Sequence, residues 1–424
     1  MSDGMGTSPW SSRTHAAPNA SARNIKSANN QSAHNQSAAN NKSAKSVVDS
    51  PLHNAINKAS TALFTAGYKY VAKPIIFSMK PDDAHEQTIR LVHAAGYVTP
   101  LMALLRGMTN YTDPILETDV MGVHFDNPFG LSAGLDKNGE MAPALDAAGF
   151  GFETMGSTTA YPCAGNPRPW FHRLPRYGSL LIHAGLNNAG SQTVIANAEK
   201  AYTTSRSMRI SVSLARTNSR DAGDDDKGIA DYVTSMRRAA FRTDMIEINI
   251  SCPNTYVGER FVEPEPLDRL LTALDRIDRS QPVLLKMPQD KPWEQFRDLL
   301  DVACEHNVQG VTIANLRKDR TGLDVPGDWQ GNMSGLPAAT ASNSLLDRAY
   351  RDYGDRLTLA GVGGVFTPEQ AYWKIRHGAS LVMFVSSLMY RGPQEITIIK
   401  RGVARLLRRD GFESISQAVG MDVD

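Results

Sequence analysis

The chain contains no uninterrupted run of about 20 apolar residues, so no membrane-spanning helix is expected. Net charge is almost absent too. The 45 Lys and Arg against 44 Asp and Glu leave +1, which excludes the broad basic field that holds a nucleic-acid backbone. No nucleic-acid partner is expected. Cysteine is scarce: Cys163, Cys252 and Cys304 stand far apart, with neither the CxxC nor the His-paired spacing of a zinc site. No metal centre is expected, and this usage suits a reducing cytoplasm. The first 50 residues have no apolar core for a secretory signal and too few arginines for a transit peptide. They are Ser, Asn, Ala and Lys in low-complexity order, too polar to offset the entropy of ordering, and are expected to be disordered.

What is present is apolar content of 41% in 424 residues, enough for one large α/β domain with an appendage or for two or three smaller domains. Residues 51–109 read as helical, with Ile56, Ala59, Leu63, Ala66, Tyr70 and Val71 near one face. Pro74 is expected to break the first helix at the apolar cluster "PIIFSM", and a second starts near "PDDAHEQT". Two readings of this head stay open: a helical cap packed on the main domain, or an interfacial hairpin resting its apolar face on lipid.

Residues 110–424 follow another rhythm. The apolar runs "FGLSAG", "GFETMGS", "MRISVSL", "MIEINIS", "PVLLKMP", "GVTIAN", "LTLAGVGG" and "LVMFVSS" alternate with amphipathic stretches such as "PLDRLLTALDRID". Eight strands alternating with helices predict an α/β fold, a (β/α)₈ TIM barrel with an N-terminal helical extension. Polar residues gather at the strand ends, where this fold carries its active site: Lys137, Ser157, Asn249 to Asn254, Lys286, Asn315, Gly363 with Gly364, and Ser386 with Ser387.

Each group has a chemical reading. Gly361, Gly363 and Gly364 let backbone amides approach a ligand and lead into a helix whose N-terminus favours an anion; with Ser386 they predict a phosphate site. A tight turn explains the glycines alone. A phosphate held without a metal suggests a phosphorylated cofactor such as FMN. Lys137 and Lys286 lie at or inside an apolar barrel, either paired with a carboxylate such as Asp136 or serving as cations for a reduced flavin or an anionic substrate. The strand "MIEIN" ends in "ISCPNT" because Pro253 cannot continue the ladder. There Asn249 and Asn254 can read a planar ring with carbonyl and NH edges, and Cys252 can remove its proton; a buried inert thiol is the plainer alternative.

The segments "LSAGLDKNGE", "AGNPRPWFHRL", "NNAG", "INISCPNT", "GVGGV" and "GASLVMFVSSLMYRGP" together resemble the dihydroorotate dehydrogenase family over residues 70–391. The stretch "KPIIFSMKPDDAHEQT" is similar to the membrane-associating helices of its class 2, quinone-dependent branch. The resemblance implies that Ala133, Gly134, Lys137, Ser157, Ser211, Asn249, Lys286, Gly335, Gly363, Gly364, Val385 and Ser386 hold FMN. It implies that Lys137, Asn249, Asn254 and Asn315 contact dihydroorotate or orotate, and that Cys252 is the base. The implied reaction, a step of pyrimidine biosynthesis, takes a proton from C5 of dihydroorotate while a hydride leaves C6 for the flavin. A ubiquinone-type acceptor would reoxidise the flavin at the head helices, with the protein peripheral on the cytoplasmic face of the cell membrane.

The chain departs from the family pattern in four places. Cys252 stands where class 2 normally has serine, a class 1 choice. "HAGL", from His183 to Leu186, replaces a longer segment that supplies a substrate amide. Ser211 stands where an asparagine near the flavin is expected, and "IANLR" puts Ala314 and Leu316 where hydroxyls are expected. Two other functions stay open: a related FMN oxidoreductase acting on a different small cyclic amide or acid, and a barrel without turnover that serves as a flavin or partner-binding protein. Retention of Lys137, Cys252 and Lys286 argues against the latter.

Overall fold

A computed structural model describes residues 51–205, 207–219, 224–256 and 258–423. The low-complexity segment of residues 1–50 lies outside the described residues. The chain divides into two units, Met1–Ile56 and Asn57–Asp424. Among the described residues, only the start of the helix Pro51–Gly67 falls in the first unit.

Eight parallel strands close into a barrel. In chain order the strands are β1 (Thr118–Val120), β2 (Val123–Phe125), β3 (Phe129–Leu131), β4 (Phe152–Thr158), β5 (Phe171–Leu174), β6 (Ser179–Ile182), β7 (Arg209–Leu214), β8 (Met245–Asn249), β9 (Val283–Lys286), β10 (Gly310–Ile313), β11 (Asn332–Met333), β12 (Thr358–Val362) and β13 (Ala379–Phe384). The barrel order is β10-β12-β13-β3-β4-β7-β8-β9. These are the eight apolar runs of the sequence, almost wholly buried because helices cover the outside and side chains fill the inside. The helices between them show one apolar stripe each, as in Pro264–Asp275, which buries Leu267, Leu270, Leu271 and Leu274.

The barrel interior is stratified. Phe152, Met245, Leu284, Ala360, Leu381 and Met383 pack together with Val120 and Phe125 of the antiparallel hairpin β1–β2, making the N-terminal end apolar. Towards the C-terminal end the inward positions turn polar: Ser213, Glu247, Asn249, Lys286 and Thr312. A separate sheet, β11-β6-β5, had no counterpart in the sequence pattern. Its pairing of Asn332 with Ile182 joins residues too distant for local periodicity to link.

The head differs from expectation at Pro74. The chain stays helical from Pro51 through a widened turn, Tyr68–Ala72, into Lys73–Ser78. A proline ring collides with the carbonyl four residues before it, and a π-type turn just upstream moves those carbonyls aside, so the helix continues. It ends at Met79, before the helices Pro81–Gly96 and Thr99–Thr109. No single described helix is long and apolar enough to cross a membrane; the last two reach that length only together and meet at 104°.

Candidate active site

An open cavity enclosing about 1290 Å³ of empty space, its mouth included, sits at the C-terminal ends of the barrel strands. The strand ends supply its floor. Ser132, Ala133, Gly134 and Lys137 follow β3, Ser157 lies in β4, Asn249 ends β8 with Cys252 and Asn254 in the loop after it, and Lys286 ends β9. Ala314, Asn315 and Leu316 follow β10; Gly363 and Gly364 follow β12; Val385 and Ser386 follow β13. Gly335 enters from the loop after β11.

The carboxamides are locked by one another. Asn249 Nδ2 donates to Ser157 Oγ at 2.8 Å, and its Oδ1 accepts from Asn315 Nδ2 at 3.2 Å. Asn315 Nδ2 also donates to the Ser251 carbonyl at 2.7 Å, while Ser251 Oγ donates to the Lys286 carbonyl at 2.7 Å. Asn254 donates to the Ile182 carbonyl at 3.0 Å and accepts from Asn332 Nδ2 at 2.8 Å, which ties the β8 loop to the added sheet. Amides held this way present fixed faces to a ring, at little entropic cost on binding.

The two lysines differ. Lys286 lies 3.7 Å from the carboxylate of Glu247 on the neighbouring strand. Lys137 has no hydrogen-bond partner for its buried Nζ among the described residues, and lies 4.9 Å from the Trp170 ring and 5.2 Å from that of Phe171. Pairing of Lys137 with Asp136 does not occur, because the Asp136 carboxylate accepts the backbone N–H groups of Glu140 and Met141 at 2.8 and 2.6 Å. Burial lowers Lys137 to about 8. An orphaned ammonium aimed at a cavity fits an electron-rich or anionic occupant.

The surroundings of Cys252 oppose its acting as a ready base. It is half-buried, and burial pushes its thiol up to about 11, outweighing the Asn254 backbone N–H and the Lys286 cation, which both work downward. At neutral pH it is a thiol.

Several sequence-predicted positions move. Ser211 does not line the cavity; on β7 it lies one inward layer deeper than Ser213, whose Oγ sits 2.8 Å from that of the lining Ser157. His183 does not line it either: its backbone N–H donates to the Trp170 carbonyl and its ring faces Asn166. Asn187, four residues on, faces the cavity and supplies an amide in that region. Ala314 and Leu316 do line it, so this part of the wall is apolar.

Strand and helix spacing did not place the side wall. His85 of the helix Pro81–Gly96, with Phe171, Leu180 and Ile182 of the added sheet, completes the cavity on the head side. His85 Nε2 lies 3.0 Å from the Leu135 carbonyl, and burial together with the nearby Lys137 lowers it to about 4, so the imidazole is neutral.

A phosphorylated planar cofactor suits these surroundings. Gly134, at φ +122°, has open space where a side chain would stand, which lets a flat ring approach the backbone. Gly363 and Gly364, at φ +97° and +74°, hold a left-handed turn that bares amides at the far end, and a Cβ on Gly364 would collide with Ala339. There Ser386 Oγ meets Ser334 Oγ at 2.8 Å.

A model of the dihydroorotate dehydrogenase family matches residues 115–407. A protein of Thermobifida fusca (strain YX) named dihydroorotate dehydrogenase (quinone) is 36% identical over 369 residues, 84% of this chain and 97% of its own. One of the same name from Nocardia farcinica (strain IFM 10152) is 35% identical over 357 residues, 82% and 95% of the two chains. The solved structure of DHODH from Eimeria tenella in complex with ferulenol is similar with a TM-score of 0.73 at 26% identity, covering 82% of this chain and 98% of that one. With sequence, fold and strand-end cavity in agreement over most of both lengths, the chain belongs to the dihydroorotate dehydrogenase family.

Proposed function

We propose that this protein is an FMN-dependent dihydroorotate dehydrogenase that oxidises dihydroorotate to orotate and delivers the electrons to a quinone. The observation that carries this reading is the convergence of Lys137, Lys286, Cys252 and the carboxamides of Asn249, Asn254 and Asn315 on one cavity. FMN, when bound, supplies the hydride acceptor. Ala133, Gly134, Lys137, Ser157, Asn249, Lys286, Gly335, Gly363, Gly364, Val385 and Ser386 would hold it; Ser211, which does not line the cavity, drops from that set.

The remaining chemistry belongs to the chain. Asn249, Asn254 and Asn315 orient the flat ring of the substrate through its carbonyl and NH edges, and Lys137 draws its carboxylate. Cys252 Sγ takes the C5 proton as the C6 hydride departs. Because the resting group is a thiol, it must first lose its own proton, which makes the reductive half-reaction faster at higher pH. Apolar walls at Ala314, Leu316 and Phe171 exclude water from the reacting atoms.

The quinone approaches from the head. His85 and Phe171 form the wall beside Lys137, between the head helices and the cavity. Leu63, Tyr70, Val71, Ile75, Leu91, Leu101 and Leu104 expose apolar side chains on those helices, a surface that would rest in the lipid interface of the cytoplasmic face of the cell membrane. An anaerobic titration tests the central claim. Adding dihydroorotate to the purified yellow protein should bleach the flavin in one equivalent; a flavin that stays oxidised under dihydroorotate, yet bleaches with another cyclic amide or acid, would assign the apolar Ala314–Leu316 wall to a different substrate.

A further inference from the structure

Glu247 is a carboxylate inside the barrel, on β8 one inward layer below Asn249, and it is 2% exposed. Its Oε2 accepts the Thr312 hydroxyl from β10 at 2.9 Å. Its Oε1 has no hydrogen-bond partner among the described residues and faces Lys286 Nζ at 3.7 Å. That separation is too long for a hydrogen bond, yet two buried charges this close interact strongly. Stability alone is a weak reason for such a pair, because well-packed apolar side chains of similar volume stabilise a core as well or better. The layer beneath it is filled in that way, by Met245, Leu284 and Ala360.

Lys286 has two other relations. It lines the cavity, and it is the cation that works to lower the Cys252 thiol. A charge that offsets Lys286 therefore acts on whatever Lys286 touches. We infer that Glu247 is a positioning residue that holds Lys286 in place and offsets part of its charge, setting both the electron affinity of the flavin and the basicity of Cys252. The first effect rests on the FMN reading above; the second does not. The direction follows from charge: reduction makes the flavin more negative, Lys286 favours that state, and Glu247 opposes it. The titratable groups whose charge bears on Cys252 are Lys286, Glu259, Cys163 and the Tyr232 phenol, and Glu247 acts on the thiol through the first of these.

Glu247→Gln keeps the shape and an acceptor for Thr312 while removing the charge. Two measurements on the flavin-loaded protein read it: the FMN midpoint potential by anaerobic redox titration, and the pH profile of Cys252 alkylation mapped by mass spectrometry. In Glu247→Gln the potential should rise by about 30 mV, a tenfold change for a two-electron couple, and the alkylation profile should move to lower pH. Glu247→Asp, which keeps the charge but withdraws it from Lys286, should move both readouts the same way and less far; it also carries the test if the Gln variant does not fold. A protein without FMN would overturn the functional reading while leaving the alkylation profile to judge Glu247. Unmoved readouts in folded variants, or equal shifts for Gln and Asp, would overturn the inference.

Discussion

Asp82, in the first turn of the helix Pro81–Gly96, accepts the backbone N–H of Trp170 with both carboxylate oxygens, at 2.9 and 3.1 Å. It also accepts the Phe171 N–H at 3.0 Å. Since the Trp170 and Phe171 rings flank Lys137, the head fixes the wall around that lysine. Asp82→Ala leaves two buried amides unsatisfied, at about 1–3 kcal/mol each. The urea midpoint should fall accordingly, and KM for substrate should rise as Lys137 loses its flanking rings. An unchanged midpoint would show that the head is not anchored there.

Lys137→Met separates stability from function. Removing an unpartnered buried ammonium should raise the melting temperature of the flavin-free protein at neutral pH while slowing flavin reduction severely. Its folded value, about 8 against an ordinary 10.5, lies below the unfolded one, so the penalty is full below pH 8 and disappears by pH 10.5. The variant's advantage, roughly 3 kcal/mol at most, should therefore shrink as pH rises through that window. Equal melting temperatures at pH 7 would mean that Lys137 has a partner in solution.

Cys252→Ala should retain FMN, because most residues proposed to hold it lie on other strands, but its flavin should be reduced orders of magnitude more slowly. In the wild type the rate should climb with pH without levelling near the free-thiol value of about 8.5, since burial pushes Cys252 up to about 11. Cys252→Ser should lie between wild type and Ala, displaced to still higher pH. Rapid-mixing absorbance at the flavin band measures all three. An Ala variant with the wild-type rate would assign proton removal to another group.

The exposed apolar residues of the head should bind the protein to lipid vesicles in sedimentation assays, and Leu63→Asp with Ile75→Asp should release it. Deleting residues 1–80 should depress quinone turnover far more than turnover with a soluble dye. Some loss in both is expected, because Arg173 donates to the carbonyls of Ile76, Phe77 and Met79 and would lose those acceptors. Equal loss with both acceptors would make the helices a structural cap only.

The eight barrel strands were legible because each is a short apolar run bounded by polar strand ends, and burial on both faces leaves no other use for such runs. The same local logic marked Lys137, Asn249, Cys252, Lys286, Asn315 and the Gly363–Gly364 turn, which do meet in one cavity. The family resemblance also named Ser211 without showing its depth on β7, and Ser211 does not line the cavity. The resemblance failed at His183, whose ring turns towards Asn166 once its own N–H pairs with the Trp170 carbonyl.

Residue type, period and punctuation along the chain determined the barrel and the chemistry available at its open end. Tertiary structure alone decided what that chemistry is worth. The pairing of Asn332 with Ile182 in the added sheet, the Asp82 anchor on Trp170, the Glu247 carboxylate beside Lys286 and the thiol of Cys252 pushed up to about 11 all depend on which distant residues pack against which. Strand and helix periodicities arise from neighbours a few residues apart, whereas charge energies and desolvation arise from whatever surrounds a group in space, and one-dimensional spacing does not carry that information.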